Sequence, residues 1–357
     1  MSQNGWRFTC RIKWLVLTLG LALACSPLQG MARESTISQI KQVNRVVCAV
    51  NVRAGLADVP TGTSWAGLSV DLTKALAAAI LQDASKVVFE VADRKTGPEM
   101  IQSGATHLYL PIEPMAPTKL AASGLISSYP FFFNTQKILV WKDSGISAVN
   151  QLVHSQIAVQ PGYVNEQNVE MANEEHLNSY FHRAGWQAMI FAIQEWGEME
   201  SAFISGHVKA VSAEETELAR LRIANREKVG DAVMLPEIIG MEPVSAVVRG
   251  DDPGWLTLVN ATISVLIKAE ELGITSENID SFKTSKDPEV QYLLGTTRGI
   301  GKAVELDDQW AERVIKAVGS YSQMFERDLG ATSGLGIERG LNQTWRHGGL
   351  LYSMPIK

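Results

Sequence analysis

Short apolar runs alternate with helical segments along the first two thirds of the chain. The runs are rich in β-branched residues and too short for typical helices, so we interpret them as strands. They cover Arg45–Val52, Lys86–Val91, Gln136–Trp141, Gln156–Gln160, Ala188–Ile193, Val208–Val211 and Ser245–Val248. Alternation of strands and helices predicts an α/β fold whose sheets are largely parallel.

The clearest helix between two strands is Val70–Leu81. Its apolar residues return at helical spacing, and Ser69 or Asp71 can cap its first turn. After Arg249 the pattern becomes mostly helical, with segments at Pro253–Leu272, Asp287–Leu294 and Asp307–Leu329. One side of the last helical segment would carry its large apolar residues, Trp310, Val314, Val318 and Tyr321. We predict a packed helical extension at the C-terminal end.

The first 32 residues have the layout of an export signal. Three basic residues, Arg7, Arg11 and Lys13, precede an apolar run of about 11 residues and a small-residue stretch that ends at Ala32. The apolar run falls short of the roughly 20 residues that a membrane-spanning helix needs. We predict that residues 1–32 are a signal peptide. In a second interpretation Ala22–Cys25 is a lipoprotein box, which would leave a lipid anchor on Cys25.

Removal of this leader would change both the charge and the cysteine count. Three positive charges would be lost, leaving 29 Lys and Arg against 38 Asp and Glu, a net charge of −9. So acidic a protein is not expected to bind nucleic acid. Cys48 would be the single remaining cysteine, so no internal disulfide could form. Since Cys48 lies in an apolar run, we expect a buried core residue without chemical activity.

Sequence signatures of metal sites and of common enzymes are missing. None of the six histidines has zinc-ligand spacing, and no Gly-x-Ser-x-Gly, Walker or Gly-x-Gly-x-x-Gly motif is present. We therefore expect no metal, no cofactor and no enzymatic activity. Glu214 is a candidate ligand residue, because it follows the run Val208–Val211 and open α/β sheets hold ligands beyond the carboxyl ends of their strands.

The C-terminal half contains many short motifs in the order of a known family. They include Leu235–Ile239, Glu242-Pro243, Ala269–Gly273, Asp287–Val290, Phe325–Arg327, Arg339–Asn342 and Gly348-Gly349. With similar motifs in the N-terminal half, such as Trp65–Gly67, the chain resembles the general L-amino-acid-binding proteins of polar amino-acid ABC transporters. These are periplasmic solute-binding proteins of family 3.

The resemblance implies a type II periplasmic binding protein fold with two α/β lobes. Lobe 1 would consist of residues 33–140 and 236–357, including the helical extension, and lobe 2 of residues 141–235. Two crossover strands would form the hinge. Such proteins close over a small ligand by hinge motion and then dock on permease subunits in the inner membrane. An amino acid or related zwitterion as ligand, an ABC permease as partner and a periplasmic location are therefore expected.

The same resemblance implies ligand-binding residues, several of which depart from the family pattern. Lys119 falls on the arginine that grips the ligand carboxylate, beside Thr118, and Glu214 falls on the acidic residue for the ligand ammonium. Gly162 and Tyr163 replace part of a Ser-Gly-Thr-Thr loop, so hydroxyl contacts are lost. Trp65 is a further expected contact.

These departures leave three functions open. The first is a transport receptor whose pocket is retuned to another small zwitterion or anion. The second is a sensing or partner-binding module, in which Lys119 and Glu214 are ordinary surface charges and ligand binding has been lost. The third is an enzyme of the dehydratase or lyase type on the same scaffold.

Overall fold

The computed structural model describes residues 34–58, 64–161, 172–229, 231–296 and 301–355 of the 357-residue chain. The predicted signal peptide, Gly162 and Tyr163 lie outside the described residues. The described residues from Ser35 onward form one compact unit.

A nine-stranded sheet organises the described part of the chain. Its order is β2-β1-β3-β9-β4-β7-β5-β6, and β8 also pairs with β4. The strands are β1 Val46–Val50, β2 Val87–Val91, β3 Leu108–Leu110, β4 Leu125–Trp141, β5 Gln156–Val159, β6 Met189–Ala192, β7 Ala210–Glu214, β8 Ala232–Met234 and β9 Gly240–Arg249. The predicted α/β architecture is confirmed. The sequence pattern missed β3 and β8, which have three residues each, and most of the length of β4 and β9.

The prediction of largely parallel sheets is correct at the two ends of the sheet and wrong at its centre. Strands β1, β2 and β3 pair in parallel, as do β5, β6 and β7. In between, β4 and β9 pair antiparallel to each other and to their neighbours β7 and β3. An antiparallel pair does not require the crossover helix that a parallel pair needs, so the alternation of strands and helices in the sequence did not predict this central pairing.

This topology turns the carboxyl ends of the two parallel groups toward each other. Three successive antiparallel pairings lead from β3 through β9 and β4 to β7, so β7 runs opposite to β3. Gln136 of β4 pairs with Gly240 of β9 on one side and with Glu214, the last residue of β7, on the other. Ligand-binding loops of both groups should therefore meet near this point.

Helices cover the sheet and fill the C-terminal region. They are α1 Thr36–Val43, α2 Leu68–Leu81, α3 Thr96–Ser103, α4 Pro117–Ala122, α5 Ala172–Arg183, α6 Trp196–Ile204, α7 Glu215–Ala224, α8 Arg226–Val229, α9 Pro253–Glu271, α10 Ile279–Phe282, α11 Pro288–Leu294, α12 Trp310–Val318 and α13 Tyr321–Asp328. The predicted helical extension is confirmed. Its long final segment is two helices, because Gly319 has a φ of 89° and Ser320 caps the next helix.

The predicted cap of α2 is also wrong. The helix begins at Leu68, so Ser69 and Asp71 lie inside it. The amide groups of Leu68 and Ser69 donate to the carbonyl oxygens of Gly55 and Leu56, each at 2.9 Å. The preceding backbone therefore satisfies the first turn, and no side-chain cap is needed.

Buried apolar side chains form separate clusters on the two sides of the region where β4 and β9 connect the two parallel strand groups. Apart from Ala219, the largest cluster draws its members from residues 37–132 and 244–351, whereas two smaller clusters lie within residues 138–239. The predicted lobe boundaries remain a prediction, which this distribution supports. Cys48 is buried in the largest cluster, as expected, and burial raises the pKa of its thiol to about 12. No helix in the described ranges is long and apolar enough to cross a bilayer.

We expect Gly67→Ala to destabilise the protein by about 1–3 kcal/mol, because Gly67 has a φ of 122° and a β-carbon there would lie 2.4 Å from the carbonyl oxygen of Leu56. Urea unfolding followed by circular dichroism would measure the loss. Gly273→Ala is the control, because φ is also positive there but the added carbon would enter open space. An equal loss in both variants would contradict a role for the clash.

Candidate functional site

Six charged residues lie where the carboxyl ends of the two strand groups meet. Three of them come shortly after the strands of the first group: Arg53 after β1, Arg94 after β2 and Glu113 after β3. The others are Glu214 at the end of β7, Glu217 in the first turn of α7 and Glu242 in β9. We call these six residues the charged cluster. Their side chains are linked by ion pairs and by mutual electrostatic effects.

Arg53 connects the two sides of the cluster. Its Nη1 lies 2.8 Å from Oε1 of Glu217 and 4.0 Å from Oε2 of Glu214. All three side chains are at most 16% exposed. Burial opposes the charge of the Arg53 guanidinium, but Glu214, Glu217 and Glu113 together raise the pKa of Arg53. The cation is therefore held by an excess of negative charge.

Two carboxylates of the cluster have raised pKa values. Burial, with the charges of Glu214 and Glu113, raises the pKa of Glu242 to about 7. Burial also raises the pKa of Glu113, although its ion pair with Arg94 at 3.9 Å acts in the opposite direction. A nearby cation would stabilise the ionised form of such a carboxylate, because the positive charge compensates both the burial and the neighbouring negative charges.

The backbone position of Glu214 is fixed by buried hydrogen bonds. Gln136 donates from Nε2 to Oγ of Ser212 at 2.9 Å and to the carbonyl oxygen of Asn173 at 2.9 Å. Ser212 in turn donates to the carbonyl oxygen of Lys137 at 2.9 Å. Since Gln136 and Ser212 are buried, these bonds hold the end of β7 against β4.

The other predicted site residues that the structure describes lie in different surroundings. Lys119 and Thr118 are exposed in the first turns of α4, which begins at Pro117. Trp65 is half-buried in the loop between β1 and α2 and packs against Phe89, with ring centroids 5.5 Å apart. The proposed opposition of Lys119 and Glu214 across a ligand stays a prediction. The ion-pair partner that the structure gives Glu214 is Arg53.

Sequence reasoning missed five members of the charged cluster: Arg53, Arg94, Glu113, Glu217 and Glu242. The rule that selected Glu214 also applies to Arg53 and Arg94, which come three residues after the ends of β1 and β2. Glu113 could not be found in this way, because β3 itself was not predicted. Glu242 lies inside a crossover strand, where no local pattern marks a binding residue.

The cluster can accept a small cationic or zwitterionic group. Four carboxylates and two guanidinium groups leave an excess of negative charge, and the carboxylates are partly buried. In the described ranges no group of three or more His, Cys, Asp or Glu side chains is arranged to hold a metal ion. The arrangement fits recognition of an organic ligand by charge and hydrogen bonding.

Comparison with known proteins identifies the family. The chain is 32% identical over 329 residues to the general L-amino acid-binding periplasmic protein AapJ of Rhizobium johnstonii, covering 91% of this chain and 94% of AapJ. It is 31% identical over 333 residues to the glutamate/glutamine/aspartate/asparagine-binding protein BztA of Rhodobacter capsulatus, covering 92% and 95%. No protein-family model matches the chain.

A solved structure supports the same assignment. An ABC transporter periplasmic binding protein from Brucella ovis, with glutathione bound, superposes with a TM-score of 0.76 and 31% identity, covering 91% of this chain and all of that one. Fold and sequence thus agree, and the chain belongs to the amino-acid-binding periplasmic proteins of ABC transporters.

Proposed function

We propose that this protein is an extracytoplasmic receptor that binds an amino acid or a related small zwitterion and delivers it to the permease of an ABC transporter. One observation carries the proposal: charged side chains from both parallel strand groups converge where the carboxyl ends of those strands face each other. This is where open α/β sheets place their ligands. The family membership and a periplasmic location of the relatives support the same function.

In the proposed complex the ligand ammonium faces the acidic side of the charged cluster, with Glu214 as its main partner. Lys119 supplies the cation for the ligand carboxylate, assisted by Thr118, and Trp65 contributes apolar contact. A lysine provides charge without the two-pronged geometry of arginine, so we expect a weaker grip on the carboxylate than an arginine would give. The proposed two lobes would close around the ligand and present the closed form to the permease.

A thermal-shift screen of the purified protein tests this function. Candidate ligands are the four amino acids in the name of BztA, glutathione, short peptides and opines. A true ligand at 100 times its dissociation constant should stabilise the folded state by about 2.7 kcal/mol. Stabilisation by none of these compounds would count against the receptor function.

Two variants connect any binding to the proposed residue. Glu214→Gln should weaken binding by about tenfold to 100-fold, because a hydrogen bond to a charged group contributes about 1.5–3 kcal/mol. Glu338→Gln is the control, since Glu338 is exposed and lies outside the charged cluster. Isothermal titration of both variants with the ligand found in the screen would measure the difference. Equal affinities would exclude Glu214 as the ammonium partner.

A second candidate function rests on Arg53. The Arg53 guanidinium already lies near Glu214. The carboxylate therefore has a counter-ion without any ligand, as would suit a sensor or partner-binding module that does not transport. Capture of a sensor protein instead of a permease, with no small molecule bound, would favour that function. An enzyme remains the weakest candidate, and turnover that Glu214→Gln abolishes would be needed to support it.

A further inference from the structure

The described residue that pairs with Glu214 is a cation of the protein itself. We propose that Arg53 is a built-in occupant of the cation subsite formed by Glu214 and Glu217, so that the ammonium group of any ligand must compete with it. The inference rests on the proposed receptor function in assigning the ammonium to Glu214. It adds that Arg53 determines which ligands the site accepts.

The geometry of Arg53 suits a built-in occupant. Its backbone amide donates to the carbonyl oxygen of Ala57 at 2.8 Å, and the amide groups of Leu56 and Ala57 donate to its carbonyl oxygen at 3.0 and 2.9 Å. This tight turn fixes the start of the side chain, so little backbone freedom is lost when the guanidinium reaches Glu217. The tethered cation is therefore present at high effective concentration.

Arg53 is held unequally by its two acidic partners. The contact with Glu217 is a direct ion pair at 2.8 Å, whereas Glu214 lies at 4.0 Å, the outer limit of an ion pair. Glu217 also accepts from Nε of Arg220 at 2.9 Å, and the Arg220 guanidinium lies 5.0 Å from the centre of the Trp196 ring. Glu217 would thus keep a partner if Arg53 moved, and Glu214 is the weaker side of the contact.

This arrangement predicts the charge class of the preferred ligand. A guanidinium a few ångströms from Glu214 repels a second cation and neutralises part of the carboxylate that should attract it. Neutral and acidic amino acids bring one ammonium group, so they meet this competition once. Amino acids with a cationic side chain bring a second positive charge and should bind more weakly to the wild type.

Complementation of Arg53→Ala by a small cation tests the proposal without knowledge of the natural ligand. The variant should leave a cavity with acidic sides, which methylguanidinium can fill. At about 10 mM, methylguanidinium should raise the melting temperature of Arg53→Ala by at least about 2 °C, and N-methylurea, its neutral relative, should have little effect. Wild type should show no such difference, because its own guanidinium fills the site.

Arg220→Ala is the matched control, since Arg220 pairs with the same Glu217 from a more exposed position. Its response to methylguanidinium should equal that of the wild type. If Arg53→Ala fails to fold, Arg53→Gln keeps most of the volume, and methylammonium should stabilise it more than sodium does at equal concentration.

The outcomes separate the inference from the function. Methylguanidinium that stabilises Arg53→Ala no more than N-methylurea does would overturn the inference, whatever the amino-acid screen shows. For the second variant, equal effects of methylammonium and sodium would overturn it. Specific stabilisation of Arg53→Ala would uphold the cation subsite even if no amino acid stabilised the wild type, in which case the receptor function alone would fail.

Discussion

Glu242→Gln is expected to raise the free energy of unfolding at pH 8 by about 3 kcal/mol and to change it by about 1 kcal/mol or less at pH 5. In the unfolded chain this carboxyl titrates near its ordinary pKa of 4.5, whereas burial and the charges of Glu214 and Glu113 raise the folded pKa to about 7. Between these two values the folded state holds its proton more tightly. The stability of the wild type therefore falls as pH rises through this range, and glutamine removes the fall.

Urea unfolding of variant and wild type at both pH values would measure the effect. Glu338→Gln, an exposed substitution, should leave stability within about 0.5 kcal/mol of the wild type at either pH. Some pH dependence will remain in the variant, because burial and the charge of Asp71 raise the pKa of Asp328 to about 8. This group also lowers the stability of the folded state as pH rises. A difference between Glu242→Gln and wild type that is equal at pH 5 and pH 8 would contradict the prediction.

Trp255→Ala should destabilise the protein by about 3–5 kcal/mol, the usual cost of removing a large aromatic side chain from a core. Trp255 is fully buried in the largest apolar cluster, near the start of α9. Its indole nitrogen donates to the carbonyl oxygen of His107 at 2.9 Å, so the substitution also removes the partner of a buried carbonyl. Equilibrium unfolding in urea, followed by far-ultraviolet circular dichroism, would show the loss.

Trp345→Ala provides the control for this substitution. Trp345 is 58% exposed, and its indole nitrogen donates to a carboxylate oxygen of Glu271 at 3.1 Å. We expect a loss of about 1 kcal/mol or less from this change, because little buried volume is removed. Similar losses in the two tryptophan variants would show that α9 is not anchored by Trp255 as the packing indicates.

The sequence determined most helices and strands of this fold, because apolar residues recur at a different spacing in a helix than in a strand. Runs such as Gln156–Gln160 and the apolar spacing within Val70–Leu81 identified elements that the structure confirms within a few residues. Burial of Cys48 followed from its apolar neighbours in the same way. Glu214 could be selected because a residue at the end of a strand can be found from local pattern alone.

Three features could not be read from local pattern. The full length of β4 depends on successive pairing with β9 and β7, which lie far along the chain, and β3 is too short to leave a period. The break between α12 and α13 depends on the backbone at Gly319. Each was missed because the information lies in pairing or backbone geometry and not in hydrophobic spacing.

Tertiary structure alone decided the composition of the charged cluster. Arg53 meets Glu214 and Glu217 because the carboxyl ends of two oppositely directed strand groups face each other across β4 and β9. The chain separates these residues widely, and local propensity carries no information about such a contact. Side-chain charge is a property of the sequence, but the burial that shifts the pKa of Glu242 and the short distance between Arg53 and Glu217 exist only once the sheet has formed.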